Sequence, residues 1–198
     1  MDVEIDVKKI SAELRENGFY VIKNFWPKKK CQEAINEINR MPLHLFEKGQ
    51  GGDFRCQHSN RYSSLAYEFL NDKIIQTIAN NYSNCNRADR VVAGVVRFED
   101  GKSIDSGGGW HVDSEQEQQF KSFLYLNDVQ SQNGPFTIIK KSKGAVPNIP
   151  KHSNLRILEE IVNKHFIPED IIELIGPAGT CILVDSTFIH RGKQIEKG

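Results

Sequence analysis

The stretch GGGWHVDSE, residues 107–115, sets His111 and Asp113 two positions apart, directly after three glycines and a tryptophan. In an extended chain residues i and i+2 project from the same face, so one imidazole and one carboxylate would point at a common spot. Both are metal donors, and the glycines leave little bulk in the way of a close backbone approach. An HxD by itself has low specificity, because two polar residues on a solvated strand face would look the same. A second histidine strengthens the reading. In GTCILVDSTFIHRG a hydrophobic strand ends in a short turn and then presents His190. In a closed barrel, strands distant in sequence become neighbours, so His111, Asp113 and His190 are expected to meet. Two neutral imidazoles and one carboxylate on one face of an ion leave the opposite positions open, which is the arrangement of non-haem Fe(II) oxygenases. Zinc suits the same atoms less distinctively. His44, His58, His152 and His165 lie in loops or helical patterns without a partner at ligand spacing.

The elements that must position these residues change character along the chain. Val7, Ile10 and Leu14 recur at helical spacing up to Asn17-Gly18, a C-terminal helix signal. GFYVIKNF reads as a strand, and after Pro27 an apolar stripe of Cys31, Ala34, Ile35, Ile38 and Met41 predicts a second helix. Residues 43–63 lose all periodicity and predict a long loop that covers or lines the site. A third helix is expected over residues 65–82. Short β-rich segments then follow at 91–98, through WHVDS, and at 121–129, 136–141 and 179–185, with turn signals between them. A helix near 154–165 and a turn near 168–174 interrupt them. The pattern predicts one domain that is mostly β with flanking helices, an antiparallel barrel or sandwich with the N-terminal helices packed outside.

Composition sets bounds on partners. The 26 basic residues balance 26 acidic ones, so no overall positive field would draw nucleic acid or an anionic membrane. Lys28, Lys29 and Lys30 read as a solvated first helical turn. No apolar run is long enough to span a bilayer and the N-terminus lacks the apolar core of a secretory signal, which makes a cytoplasmic protein the expectation. Cysteines 31, 56, 85 and 181 form no CxxC pair and are expected to be reduced, with Cys31 and Cys181 filling apolar positions.

The order of features, GFYVIKNF, then WHVDSE, then FKSFLYLNDVQSQNGPFTIIKKSK, then GTCILVDSTFIHRG, resembles the phytanoyl-CoA dioxygenase family of Fe(II)/2-oxoglutarate-dependent oxygenases. The likeness runs from about residue 10 to the end. It implies a double-stranded β-helix, a cupin-like jelly roll, with Fe(II) on His111, Asp113 and His190. It also implies 2-oxoglutarate as co-substrate, dioxygen as oxidant, and hydroxylation of a small molecule with conversion of 2-oxoglutarate to succinate. Phe123 aligns with an aromatic that lies against the co-substrate in similar enzymes. Lys121 and Arg97 are candidates for a charge toward a carboxylate, Lys121 sharing a strand face with Phe123, Tyr125 and Asn127. Trp110 and Val112 alternate away from the ligands and are expected to pack in the core, and Asp185 reads as a turn residue.

One feature of the family pattern has no counterpart here. Members place an arginine about ten residues beyond the distal histidine, on the last barrel strand, whereas these 198 residues stop eight after His190. Arg191 is expected to point away from the metal. The natural product is therefore expected to continue into a further strand carrying that arginine. Two other readings stay open on the residues alone, a non-catalytic metal-binding β-helix protein and a metal-dependent hydrolase or isomerase using the same triad.

Overall fold

A computed structural model describes residues 5–48, 53–84, 91–95, 109–113, 119–145 and 156–196. Arg97 and His152, and residues 96–98 of the predicted 91–98 strand, lie outside the described residues.

The first helix, α1 (Val7–Asn17), begins where the Asp6 carboxylate accepts from the Lys9 N–H, and it ends at Gly18 in a left-handed conformation. Strand β1 (Phe19–Ile22) follows directly, and α2 (Lys28–Asn39) starts after Pro27. The expected long loop is instead built. It contains a 3-10 turn at Leu43–Leu45, strands β2 (Phe46–Lys48) and β3 (Phe54–Cys56), and a second 3-10 turn at Ser59–Arg61. Strand pairing that satisfies backbone groups needs no side-chain periodicity, so three-residue strands escape a pattern search.

The single helix expected over 65–82 is two, α3 (Ser64–Leu70) and α4 (Lys73–Ser83). Asp72 breaks it by accepting from the backbone N–H groups of Ile74 and Ile75, both at 3.0 Å, which starts a new helix instead of continuing the old one. The remaining strands are β4 (Ala93–Val95), β5 (Phe120–Leu124), β6 (Phe136–Ile139), β7 (Ile171–Glu173), β8 (Cys181–Asp185) and β9 (His190–Gly192). The helix expected near 154–165 is shorter, α5 (Glu159–His165), and the region read as a turn near 168–174 contains β7.

These strands form three antiparallel three-stranded sheets, β1-β8-β5, β2-β3-β4 and β7-β6-β9. Among the described residues they do not close into a barrel. The first and third sheets face each other across Ile138, Leu174, Ile182, Val184 and Phe188. Strand β8 is buried on both sides, and its alternation explains the layers. Ile182 and Val184 face the opposite sheet, while Cys181 and Leu183 pack against Ile10, Leu14, Ile75 and Ile78 of α1 and α4. Each such aliphatic side chain contributes about 1.5–3 kcal/mol when removed from water. Helix α2 covers another edge through Cys31 and Ala34 beside Trp26, and α5 backs the third sheet through Val162. No helix of the described residues is long and apolar enough to cross a membrane.

Gly18 connects the α1 end to the turn that precedes β9. Its φ is +85°, and a Cβ there would lie 2.6 Å from the Phe188 ring. Gly18→Ala is expected to destabilise the fold by about 1–2 kcal/mol from the left-handed backbone alone, more if the ring cannot shift. Chemical denaturation checks this, and an unchanged midpoint would show that the αL cap is not needed.

Candidate metal centre

His111 and His190 are brought together by backbone pairing. The two residues form an antiparallel bridge, His111 N–H to the His190 carbonyl at 3.0 Å and His190 N–H to the His111 carbonyl at 2.8 Å. Directly opposite residues in such a pair send their side chains to the same face, and the imidazole centroids are 4.4 Å apart. Asp113 follows two residues after His111 and is held by its N–H to the Ser186 carbonyl at 3.0 Å. One donor atom from each of the three side chains falls within 4.8 Å of the others, the one group of its kind among the described residues.

The tautomers suit an ion. His111 Nδ1 lies 2.8 Å from the Gly109 carbonyl and His190 Nδ1 lies 2.8 Å from the Phe188 carbonyl. A carbonyl can only accept, so each Nδ1 carries the hydrogen and each neutral ring keeps its lone pair on Nε2. Those Nε2 atoms sit 3.9 and 3.5 Å from the Asp113 oxygens. The hydrogen bonds from each Nδ1 to a backbone carbonyl fix the ring orientations, as such bonds do at metal sites.

Burial, reinforced by the neighbouring His111, pulls the His190 pKa down to about 4, so this imidazole is neutral at neutral pH. Burial also lowers His111, with the positive charges of Arg156 and Lys121 acting in the same direction against the Gly109 hydrogen bond and Asp113. For Asp113 burial alone would raise the pKa. The hydrogen bond from Lys121 and the proximity of His190 outweigh it, and the carboxylate stays ionised. Two neutral nitrogens and one anionic oxygen are what a divalent ion requires of its ligands.

The other sequence candidates fall into place around this group. Lys121 donates to Asp113 Oδ2 at 2.7 Å. Phe123 packs in the layer between the two sheets, its ring 5.0 Å from Phe136, which in turn stacks on His190 at 5.0 Å and 18°. Phe136 was not singled out from the sequence, because nothing in NGPF indicates that its ring would lie on an imidazole. Trp110 is 1% exposed in the core behind the site, with Val112 partly buried against the same cluster. His165 caps its own helix by a 2.8 Å contact to the Ile161 carbonyl, and neither His44 nor His58 joins the triad.

Asp185 is more than a turn residue. Fully buried, it accepts from Tyr82 at 2.5 Å, from the Thr187 hydroxyl at 2.6 Å and backbone at 3.0 Å, and from Lys143 at 2.8 Å. This knot ties α4 to the turn that delivers Phe188 and His190. Cys31, Cys56 and Cys181 are free and buried, and burial pushes the Cys181 thiol far up, as suits core filling.

No protein-family model matches the chain and no curated protein matches it in sequence. Solved structures do match its fold. The epimerase SnoN, in complex with Fe3+, alpha-ketoglutarate and nogalamycin RO, is 14% identical with a TM-score of 0.68 over 94% of this chain and 77% of that one. HygX from Streptomyces hygroscopicus, with nickel, 2-oxoglutarate and hygromycin B bound, is 15% identical with a TM-score of 0.67 over 96% and 83%. EctD from S. alaskensis with bound Fe is 17% identical with a TM-score of 0.63 over 99% and 73%. At these identities the likeness is one of fold.

Proposed function

We propose that this chain is a single-domain Fe(II)- and 2-oxoglutarate-dependent dioxygenase that hydroxylates a small molecule, built on the double-stranded β-helix of the phytanoyl-CoA dioxygenase type. The observation that carries the reading is the convergence of two Nε2 lone pairs and one carboxylate within 4.8 Å, with both imidazoles locked in the metal-binding tautomer. The folds of SnoN, HygX and EctD, whose structures hold iron or nickel and, in two of them, the co-substrate, support it. The donor set fits a borderline divalent ion that keeps positions free for other ligands. On this reading His111, Asp113 and His190 hold Fe(II). When bound, iron and 2-oxoglutarate supply oxidation of a substrate C–H bond by dioxygen, coupled to release of succinate and carbon dioxide.

The chain's own residues orient and shield. The Gly109 and Phe188 carbonyls fix the two rings, and Phe136 and Phe123 form an apolar wall against His190 that keeps water from that flank. Phe123 would lie against the co-substrate. Lys121, now bonded to Asp113, would turn to a carboxylate of the bound acid, with Arg97 as a second cation. A guanidinium or ammonium answering that carboxylate stabilises it in a desolvated pocket.

Anaerobic addition of Fe(II) and 2-oxoglutarate is expected to give the weak visible charge-transfer band of the chelate. A substrate screen that follows succinate release, run under 18O2, then separates hydroxylation from epimerisation, since only the former places the label in the product. A protein that binds Fe(II) but develops no band with 2-oxoglutarate would exclude the oxygenase and leave the hydrolase or non-catalytic readings.

A further inference from the structure

On the reverse face of the His111–His190 pair lies a second cross-strand pair. Because His111 stands opposite His190 in an antiparallel register, Trp110 stands opposite Arg191 one rung along, and strand alternation sends both away from the ligands. They touch. The Arg191 guanidinium carbon sits 4.2 Å over the Trp110 ring. A single carboxylate oxygen, Glu159 Oε2 at the start of α5, accepts from Trp110 Nε1 at 2.9 Å and from Arg191 Nη1. Trp110 is buried among Ile139, Ile157, Val162 and Ile189, so the clasp is anchored in the core behind the site.

The backbone that joins the two histidines is otherwise slight. Among the described residues the HxD segment makes one bridge to His190, one to Ile157 and one hydrogen bond from Asp113 to Ser186, whereas His190 and Arg191 on the other side are fixed in the ladder of β9 with β6. Arg191 has a buried Nε without a hydrogen-bond partner; the ring stack and Glu159 hold its guanidinium, and the Glu173 carboxylate attracts it as well. Each arm of the clasp is covalently adjacent to a ligand. A shift between Trp110 and Arg191 becomes a shift between the imidazoles, and a change of about 1 Å is what separates a tight site from a loose one.

We propose that Trp110, Glu159 and Arg191 form a clasp that sets the spacing of His111 and His190, with Glu159 as a positioning residue for the metal centre although it touches neither ligand. The proposal rests on the reading that His111, Asp113 and His190 bind a metal. Glu159 suits a test because its side chain is 52% exposed and sits in the first turn of a short helix, so replacing it leaves no core cavity.

The experiment is titration of Co(II) into wild type, Glu159→Ala, Glu159→Gln and the helix-cap variant Asp72→Ala, reading both affinity and the visible d–d spectrum of the bound ion. Asp72→Ala lowers stability at a distant helix start and controls for a general loss of stability. Glu159→Ala is expected to weaken Co(II) binding at least about tenfold, the scale of outer-partner losses at metal sites, and to alter the spectrum. Glu159→Gln still accepts from Trp110 but no longer pairs its charge with Arg191, and should recover part of the loss. Asp72→Ala should bind within about twofold of wild type with an unchanged spectrum. Wild-type affinity and spectrum in Glu159→Ala, or equal losses in Glu159→Ala and Asp72→Ala, would overturn the clasp while leaving the metal site standing. A wild-type protein that binds no Co(II) would instead overturn the metal reading, and the clasp with it.

Discussion

Asp113→Ala protein is expected to lose metal binding while keeping its fold. In the metal-free protein the Asp113 side chain is partly exposed and pairs with Lys121, whose own side chain is 44% exposed. A pair this open to solvent contributes only about 0–1 kcal/mol, so the melting temperature of the metal-free variant should stay within a few degrees of wild type. The effect on the ion is of another size. Removing the carboxylate takes away the only anionic ligand and leaves two neutral imidazoles beside the positive charges of Lys121 and Arg156. The loss should exceed the roughly 10–100-fold that follows removal of an outer partner.

Thermal unfolding with and without Co(II) reads this directly. A ligand at about 100 times its Kd stabilises by about 2.7 kcal/mol, which for a domain of this size is a shift of roughly 5–10 °C. Wild type should show that shift and Asp113→Ala should show none at the same Co(II) concentration. A shift of equal size in the variant would mean that the ion binds elsewhere, and the assignment of the centre would fail.

Asp185→Ala is expected to destabilise the fold by about 3 kcal/mol. The carboxylate is 0% exposed and answers Tyr82, Thr187 and Lys143 together. Removing it takes away the acceptor that Tyr82, Thr187 and Lys143 share and opens the turn, and breaking a buried charged group's set of partners costs about 3–5 kcal/mol. The lower end applies because the Lys143 side chain is 43% exposed and can return to water.

The same group sets a pH signature. Burial by itself would raise the Asp185 pKa, but the bonds from Lys143, Thr187 and Tyr82 overcome it and hold the value below that of a free carboxylate. The folded state thus binds the proton less readily than the unfolded chain. The stability this group contributes is present above the unfolded value of about 3.9 and is lost as pH falls from there through the folded value. Denaturant unfolding measured from pH 6 down to pH 2 should show a steeper acid loss in wild type than in Asp185→Asn. Parallel curves would show that Asp185 does not titrate with folding.

The candidate donor group was legible because its chemistry is local. An HxD spacing turns two donors to one face of any extended segment, and a histidine at the end of the buried CILVD strand is unusual enough to stand out. The alternation in FKSFLYL also carries through, with Phe123 and Tyr125 in the layer between the sheets and Leu124 toward the helices. The built segment over residues 43–63 was not legible, since ladders as short as Phe46–Lys48 against Phe54–Cys56 are satisfied by backbone bonds and leave no period. The break at Asp72 was not read from the sequence, where one helix over residues 65–82 was expected. The apolar stripe runs through it, and capping competes with that stripe at the scale of about 1 kcal/mol.

By itself the sequence determined which atoms could hold an ion, because donor type and i, i+2 geometry are properties of a few neighbouring residues. It also marked GTCILVD as a hydrophobic strand, and the structure buries that strand on both faces, since the continuous apolar run CILV has no face to offer water. Only the tertiary structure decided that His111 would stand opposite His190, since that register depends on hydrogen bonds between segments far apart in the chain. It alone decided the tautomers, through the Gly109 and Phe188 carbonyls, and it alone placed one oxygen of Glu159 between Trp110 and Arg191. Each of these is a contact between groups whose separation along the chain carries no local pattern, and they form only when folding has already buried their surroundings.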